Sequence, residues 1–290
     1  MKIQTFTIVA GTVACNAKCP YCISKMTPAQ GLTFERPKTN WLNFDKACRL
    51  AQMNDVTTVL ITGKGEPLLY PDQITEFLKK MKKYDFPLIE IQTNALLIEN
   101  HWEKYAKYLG EWRKLGLNTI AISMVHWEKE RNKEIFTQTS PYPELKSIID
   151  KLHLLGYSVR LSCVMLKGFI DSPENVKKLA EKSKTWGVEQ LTIRSVKTPE
   201  KSENEKVYAW TKKRELTPGQ ILDISKFLEK YGHKLMTLDH GGIVYDYNGQ
   251  NICMTDCLTI KPGTENLRQL IFFPDGHLRY DWQYEGAILL

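Results

Sequence analysis

The stretch IEIQTN (residues 89–94) carries Ile89 and Ile91 at alternate positions, with Glu90, Gln92 and Asn94 on the other parity. Alternation with period two marks a β-strand with one apolar and one polar face. The pattern recurs downstream. In VRLSCV (159–164), Arg160 and Ser162 alternate with Val159, Leu161 and Cys163, and in LTIRSV (191–196), Thr192 and Arg194 alternate with Leu191 and Ile193. Helix-like segments separate the strands, and such an order implies a parallel sheet. A parallel strand covered on both faces reads as a nearly continuous hydrophobic run. Here one face is polar in three strands, as if it lined a wet central cavity. Polar groups satisfying one another inside a packed barrel are the alternative, but their recurrence argues for a site.

Outward from these strands the alternation is regular. Segments rich in Val, Ile and Thr at 3–9, 56–62, 88–93, 119–125, 158–166 and 190–196 predict six strands. Ile74, Phe77, Leu78 and Met81 share one helical face, as do Leu145, Ile148, Ile149 and Leu152. Further helices fit 44–54, 100–115, 173–186 and 217–231, with Pro71, Pro173 and Pro218 near helix starts and Gly116, Gly156, Gly187 and Gly232 after helix ends. Six βα units predict an α/β fold, a partial (β/α)6 TIM-like barrel over residues 1–196. A doubly wound open sheet stays open, because periodicity alone does not separate the two. Residues 197–233 hold a charged insertion and a helix; within them, 197–215 reads as mobile and contains Tyr208 and Trp210. Residues 234–290 carry short alternating runs with the pairs Asn248-Gly249 and Asp275-Gly276, which mark hairpins and predict a small β-rich C-terminal extension. Its last segment, 278–290, joins aromatics to an apolar end and is expected to pack across the open barrel.

The 290 residues are 42% apolar and 25% charged, ordinary for a globular protein with a substantial core. No run approaches the roughly 20 apolar residues of a membrane span, and MKIQTFTIVAG (1–11) reads as a first strand rather than a signal peptide. The expectation is a cytoplasmic protein with no membrane attachment. There thiols stay reduced, and clustered cysteines bind metals more often than they pair. The net charge of +7 fits solvated helix faces such as LKKMKKY (78–84), and would also suit a phosphorylated or nucleic-acid substrate.

Three of the seven cysteines fall within VACNAKCPYC (13–22): Cys15, Cys19 and Cys22, spaced C-x3-C-x2-C after the first strand, with Tyr21 before the last. Three cysteines cannot all pair as disulfides. Soft thiolates suit an iron–sulfur cluster, and three of them leave one iron of a cubane [4Fe–4S] cluster open. A structural zinc site wants a fourth protein ligand, and the first histidine is His101. After the second strand, ITGKGEPLLYP (61–71) sets Gly63, Gly65, Glu66 and Pro67 at a strand-to-helix turn. Glycine lets a backbone approach a ligand closely, and a carboxylate suits an ammonium group.

Together these segments resemble the radical S-adenosylmethionine (SAM) superfamily, whose signature is C-x3-C-x2-C with an aromatic before the third cysteine and a G-G-E-P segment ending the second strand. Lys64 departs from that segment, giving G-K-G-E-P. The resemblance implies that Cys15, Cys19 and Cys22 hold a [4Fe–4S] cluster, and that the backbone at Gly63, Gly65 and Pro67, with Glu66, holds the methionyl amine of SAM. Gln92, Thr93 and Asn94 look like the third-strand T-N-G segment, and Ser123 fits a ribose contact on the fourth strand. Arg160 and Ser162 fit the fifth strand, with Arg160 at a basic position of the branch resembling the GTP cyclase of molybdenum-cofactor synthesis. Val196 closes the sixth strand near the adenine, two residues beyond the inward-facing Arg194.

The implied chemistry is one-electron cleavage of SAM, fed by a flavodoxin or ferredoxin, to methionine and a 5′-deoxyadenosyl radical that abstracts hydrogen from a substrate. The cofactor does the hard chemistry; the protein orients and shields it. Arg160 and Arg194 on the cavity face favour a small polar or phosphorylated substrate. A radical SAM enzyme modifying tRNA or a peptide is the second reading, and an activase of a partner protein is another. An iron–sulfur or zinc binding module without SAM chemistry is also open, but leaves G-K-G-E-P unexplained. No residue stands out as a catalytic acid or hydrogen donor.

Four cysteines remain. Cys48 shares a helix face with Phe44, Ala47 and Ala51, and Cys163 has the parity opposite to Arg160, so both are expected in the core. Cys253 and Cys257 are the candidate pair for a second cluster, which would need other ligands; structural or substrate-facing thiols are the favoured reading. His240, beside Gly241, falls in a turn.

Overall fold

The computed structural model describes residues 2–136, 142–238, 241–256 and 266–290. Cys257 and His240 lie outside the described residues. The strand–helix units come first: β1 (Lys2–Val9), α1 (Ile23–Met26), α2 (Trp41–Met53), β2 (Thr58–Thr62), α3 (Pro71–Met81), β3 (Leu88–Thr93), α4 (Leu96–Asn100), α5 (Trp102–Lys114), β4 (Leu117–Met124), α6 (Lys129–Phe136), α7 (Leu145–Leu154), β5 (Ser158–Met165), α8 (Pro173–Thr185) and β6 (Gln190–Ser195). Two helices follow, α9 (Glu205–Arg214) and α10 (Pro218–Tyr231). The chain ends with β7 (His233–Thr237), β8 (Ile243–Tyr247), β9 (Gln250–Asp256), β10 (Asn266–Phe272) and β11 (Leu278–Arg279).

Among the described residues, eleven strands form one sheet in the order β11-β10-β1-β2-β3-β4-β5-β6-β9-β8-β7. Strands β1 to β6 stand in sequence order, each parallel to the next. A doubly wound sheet would reverse its order at a switch point; this one does not, so it is the arc of a barrel. The outermost strands, β7 and β11, are not paired with each other, and the barrel stays open.

The β-rich C-terminal part extends this arc at both edges. β9 runs parallel to β6, with Cys253 opposite Thr192, and β10 runs parallel to β1, with Gln269 opposite Thr5. The β8–β9 hairpin turns at Asn248 and Gly249, both at positive φ (51° and 80°), as an asparagine-glycine turn between twisted strands requires. A second turn, at Asp275-Gly276, returns β10 antiparallel to β11. Where the charge of 197–215 suggests a mobile insertion, the structure has α9, capped by the Asn204 side chain, which accepts from the Val207 N–H at 3.1 Å.

The outward strand faces pack against the helices. Phe44 lies 5.2 Å from Phe77 and 5.1 Å from Phe272, ring centre to ring centre, which ties α2, α3 and β10 into one core. Trp112 of α5 is fully buried, and its indole N–H donates to Thr75 Oγ1 at 2.7 Å. Cys48 and Cys163 belong to this outer core, both fully buried. Helix starts follow the sequence signals: Ser172 caps α8 ahead of Pro173, and Thr217 and Gln220 form a reciprocal capping box on α10. No helix among the described residues is long and apolar enough to cross a membrane. With apolar residues committed to the outer face, the inner face is left to polar side chains, and there the site is built.

Candidate active site

β1 delivers the chain to the end of the barrel where the parallel strands finish. Gly11 opens the loop at φ +80°; a Cβ there would lie 2.3 Å from the Tyr70 ring. The loop is laced to the segment after β2. Gly65 N–H donates to Thr12 O at 3.1 Å, and Glu66 N–H donates to Ala14 O at 2.9 Å. Gly65 tolerates no side chain, since a Cβ would stand 1.8 Å from the Ala14 carbonyl oxygen. Its glycine therefore permits the approach of one loop to another, besides whatever it offers a ligand.

That lacing holds the cysteine loop at the strand ends, and Ile23 and Ser24, directly after Cys22, line the cavity inside the arc. Cys15 is exposed, and Cys19 and Cys22 are half-buried. Burial pushes the Cys19 thiol well above the usual thiol range, and the neighbouring Cys22 and Cys15 push it further, so the three sulfurs share one neighbourhood. Among the described residues, no set of three or more His, Cys, Asp or Glu side chains is arranged to hold a metal ion. A mononuclear zinc ion needs its sulfurs to converge at about 2.3 Å on one centre. A cubane cluster takes one thiolate on each of three irons. Three soft thiols carried by one loop, with no histidine beside them, suit the cluster by their chemistry. Cys15 Sγ also accepts from Ala17 N–H at 3.4 Å and lies 3.9 Å from Asn94 Nδ2, contacts of the kind that tune cluster potential. Tyr21 packs 6.5 Å from Trp210 of α9, which roofs the loop.

Glu66 does not face open space. It is only 4% exposed, and its oxygens accept from Thr93 Oγ1 at 2.5 Å, Asn94 N–H at 3.0 Å and Leu68 N–H at 3.1 Å. Burial outweighs these bonds and pushes its pKa up to about 7. The carboxylate fastens the end of β2 to the end of β3, and Pro67 starts the buried turn that follows. Asn94 in turn reaches Asn16 Oδ1 at 2.8 Å, inside the cysteine loop.

Inside the arc lies a cavity of about 860 Å³. Gly63, Gln92, Arg160 and Arg194 line it, with Glu90, Thr192, Arg268 and Cys253. Arg160 is ion-paired with Glu90, and its Nη1 lies 3.4 Å from Thr192 Oγ1, while its buried Nε has no hydrogen-bond partner. Burial raises the pKa of the Cys253 thiol, against the opposing pull of Arg194, Arg160 and Arg268, which line the same cavity. Ser123 and Ser162 stand in register on β4 and β5, with Ser162 buried, as is Val196. Those two sit within the wall rather than on its open surface.

Two contributors are invisible in the motifs. Lys64 is 5% exposed and lines the cavity; its Nζ donates to Thr27 Oγ1 at 2.8 Å and lies 5.5 Å from the centre of the Trp282 ring. Burial lowers its pKa to about 8. Trp282, with Asp281 and Gln283, brings the C-terminal segment across the cavity, as its aromatic composition predicts. Trp282 packs 5.8 Å from Phe273, and its carbonyl accepts from Gln30 Nε2 at 3.4 Å. For Lys64 itself, the mismatch with G-G-E-P is the sequence signal that marked this corner.

Comparison with known proteins agrees with this geometry. Residues 9–193 match the model of the Radical SAM superfamily. Among curated proteins, the chain is 28% identical over 170 residues to molybdenum cofactor biosynthesis protein 1 of Drosophila melanogaster, covering 57% of this chain and 27% of that one. It is 29% identical over 164 residues to GTP 3′,8-cyclase of Staphylococcus aureus, covering 55% of this chain and 45% of that one. The chain thus spans less than half the length of these relatives. In fold it resembles Streptococcus suis SuiB bound to S-adenosylmethionine, with a TM-score of 0.62 at 15% identity over 96% of this chain and 60% of that one. A family match that runs from the end of β1 into β6 and takes in both laced loops is decisive: the chain belongs to the radical SAM superfamily, whose enzymes use a [4Fe–4S] cluster and S-adenosylmethionine.

Proposed function

We propose that the protein is a radical SAM enzyme that removes hydrogen from a small anionic substrate, polar or phosphorylated, held in the barrel cavity. The observation that carries this reading is the lacing of Thr12 and Ala14, which lead into Cys15, to Gly65 and Glu66, beside a cavity lined by Gly63, Arg160, Arg194 and Arg268. Cys15, Cys19 and Cys22 would hold the cluster, and the backbone at Gly63 and Gly65 would face the amino acid end of SAM. When bound, the two cofactors supply one-electron cleavage of the S–C5′ bond and the hydrogen abstraction that follows.

The chain's own residues bind, orient and exclude water. Glu66, Thr93 and Asn94 keep the two loops in register. Trp210 packs against Tyr21 and Trp282 against Lys64, and both would shield the site from solvent. The guanidinium groups provide bidentate donors suited to a carboxylate or phosphate. The electron would come from a reduced flavodoxin or ferredoxin.

The test is anaerobic reconstitution with iron and sulfide, reduction with dithionite, addition of SAM and assay for 5′-deoxyadenosine. Production by the wild type and its loss in Cys19→Ala support the reading. A cluster that assembles yet cleaves no SAM, under conditions that work for another superfamily member, sinks it.

A further inference from the structure

Lys64 stands where the related motif has glycine, and the structure gives it a place. The neighbours on either side have no room: a Cβ on Gly63 would lie 3.0 Å from Ala10 O, and one on Gly65 would lie 1.8 Å from Ala14 O. Position 64 instead projects into the cavity wall. Its ammonium is bonded to Thr27, the residue that ends α1, and α1 begins directly after Cys22. Among the described residues no carboxylate lies within ion-pair distance of Lys64. Arg279, 6% exposed, lies on the Trp282 side of the same corner; it donates to the Glu285 carbonyl at 2.8 Å, packs 5.7 Å from the Phe273 ring, and likewise has no carboxylate within that distance among the described residues.

Two buried cations without an acidic partner are costly, because desolvation is not repaid by a counter-charge. Hydroxyl and ring contacts offset only part of it. An anion bound by the site would balance them, and the helix that ends at Thr27 leads directly back to Cys22 of the cysteine loop. A cluster held by three thiolates is anionic, and it gains a further negative charge on reduction.

We infer that Lys64 is a positioning residue that sets the cluster's readiness to accept an electron, its ammonium being held by Thr27 and Trp282 as the fixed counter-charge to the reduced cluster. The inference rests on Cys15, Cys19 and Cys22 holding a [4Fe–4S] cluster. A buried cation favours the more negative of two redox states. Replacing it by a neutral side chain therefore makes the cluster harder to reduce.

The experiment compares wild type, Lys64→Gln, Lys64→Arg and Lys64→Gly after anaerobic reconstitution. Iron and sulfide content come first, then titration of the reduced-cluster EPR signal against potential with redox mediators, without substrate. Lys64→Gly restores the glycine pair of the related motif and guards against misfolding of the glutamine variant. The expected result is equal iron content in all four, and a reduced-to-oxidised ratio that falls roughly tenfold in the Gln and Gly variants at the wild-type midpoint, a shift of about 59 mV for one electron. Lys64→Arg keeps the charge and stays close to wild type. An unchanged midpoint in both neutral variants overturns the inference and leaves Lys64 a packing residue. Failure of the wild type to bind iron overturns the cluster reading itself, a different and recognisable outcome.

Discussion

Gly65 and Ala14 touch through their backbones so closely that a Cβ on Gly65 would lie 1.8 Å from the Ala14 carbonyl oxygen. This contact joins the cysteine loop to the end of β2, and a backbone atom cannot rotate away as a side chain would. Gly65→Ala must therefore push the loops apart. We expect it to cost about 3 kcal/mol in urea unfolding and to lower iron content after reconstitution. Gly63→Ala, whose Cβ would meet Ala10 O at 3.0 Å, should cost about 1 kcal/mol and retain iron. Equal behaviour of the two variants would refute the lacing argument.

Glu66 makes stability depend on pH in a defined direction. Its ordinary value is 4.5, and burial raises it to about 7 in the folded chain. Between those values the folded state keeps a proton that the unfolded state has lost. The contribution is therefore full below pH 4.5 and is lost as pH rises through about 7. Glu66→Gln mimics the protonated form and removes the dependence. The wild type should lose on the order of 3 kcal/mol relative to Glu66→Gln between pH 5 and 8. Denaturant melts of the cluster-free chains across that range check it, and parallel curves would rule it out.

Trp210 packs against the cysteine loop. It lies 6.5 Å from Tyr21, and the Arg214 guanidinium sits 5.3 Å from its ring. Because Trp210 is half-buried, Trp210→Ala should cost about 2 kcal/mol, below the roughly 3–5 kcal/mol of a fully buried tryptophan. The larger effect falls on access: bleaching of the cluster's visible absorbance in air should speed up several-fold. Bleaching at the wild-type rate would mean that α9 only decorates the surface.

The cavity wall was legible because side-chain parity in a strand is a local property. Glu90, Gln92, Arg160, Thr192 and Arg194 all line the cavity, while Val159, Leu161 and Cys163 are fully buried on the helix side. Turn chemistry was equally local, as Asn248-Gly249 illustrates. The partners of β9 and β10 were not legible, since alternation says which face a residue takes but not which strand lies beside it. Nor was the inward turn of the Glu66 carboxylate, which depends on Thr93 and Asn94 arriving from another strand. Lys64 registered only as a mismatch; its burial needs Thr27 and Trp282, the latter more than two hundred residues away.

Glu90 and Arg160 are joined across the cavity wall, their side chains 13% and 18% exposed. At that depth the pair is not worth its Coulomb energy alone, because both groups have given up water. Removing one partner is worse than removing both. Arg160→Gln strands the Glu90 carboxylate and should cost about 3–5 kcal/mol, as should Glu90→Gln. The double variant should recover at least about half of the summed loss. A double-mutant cycle in urea measures this, and strictly additive losses would mean that solvent already screens the pair. The cycle also bears on function. Arg160, with Glu90 in place, lines the cavity together with Arg194 and Arg268, and pyrophosphate should raise the Tm of the wild type but not of Arg160→Gln. A Tm that pyrophosphate leaves unmoved would place the anion-binding groups elsewhere in the cavity.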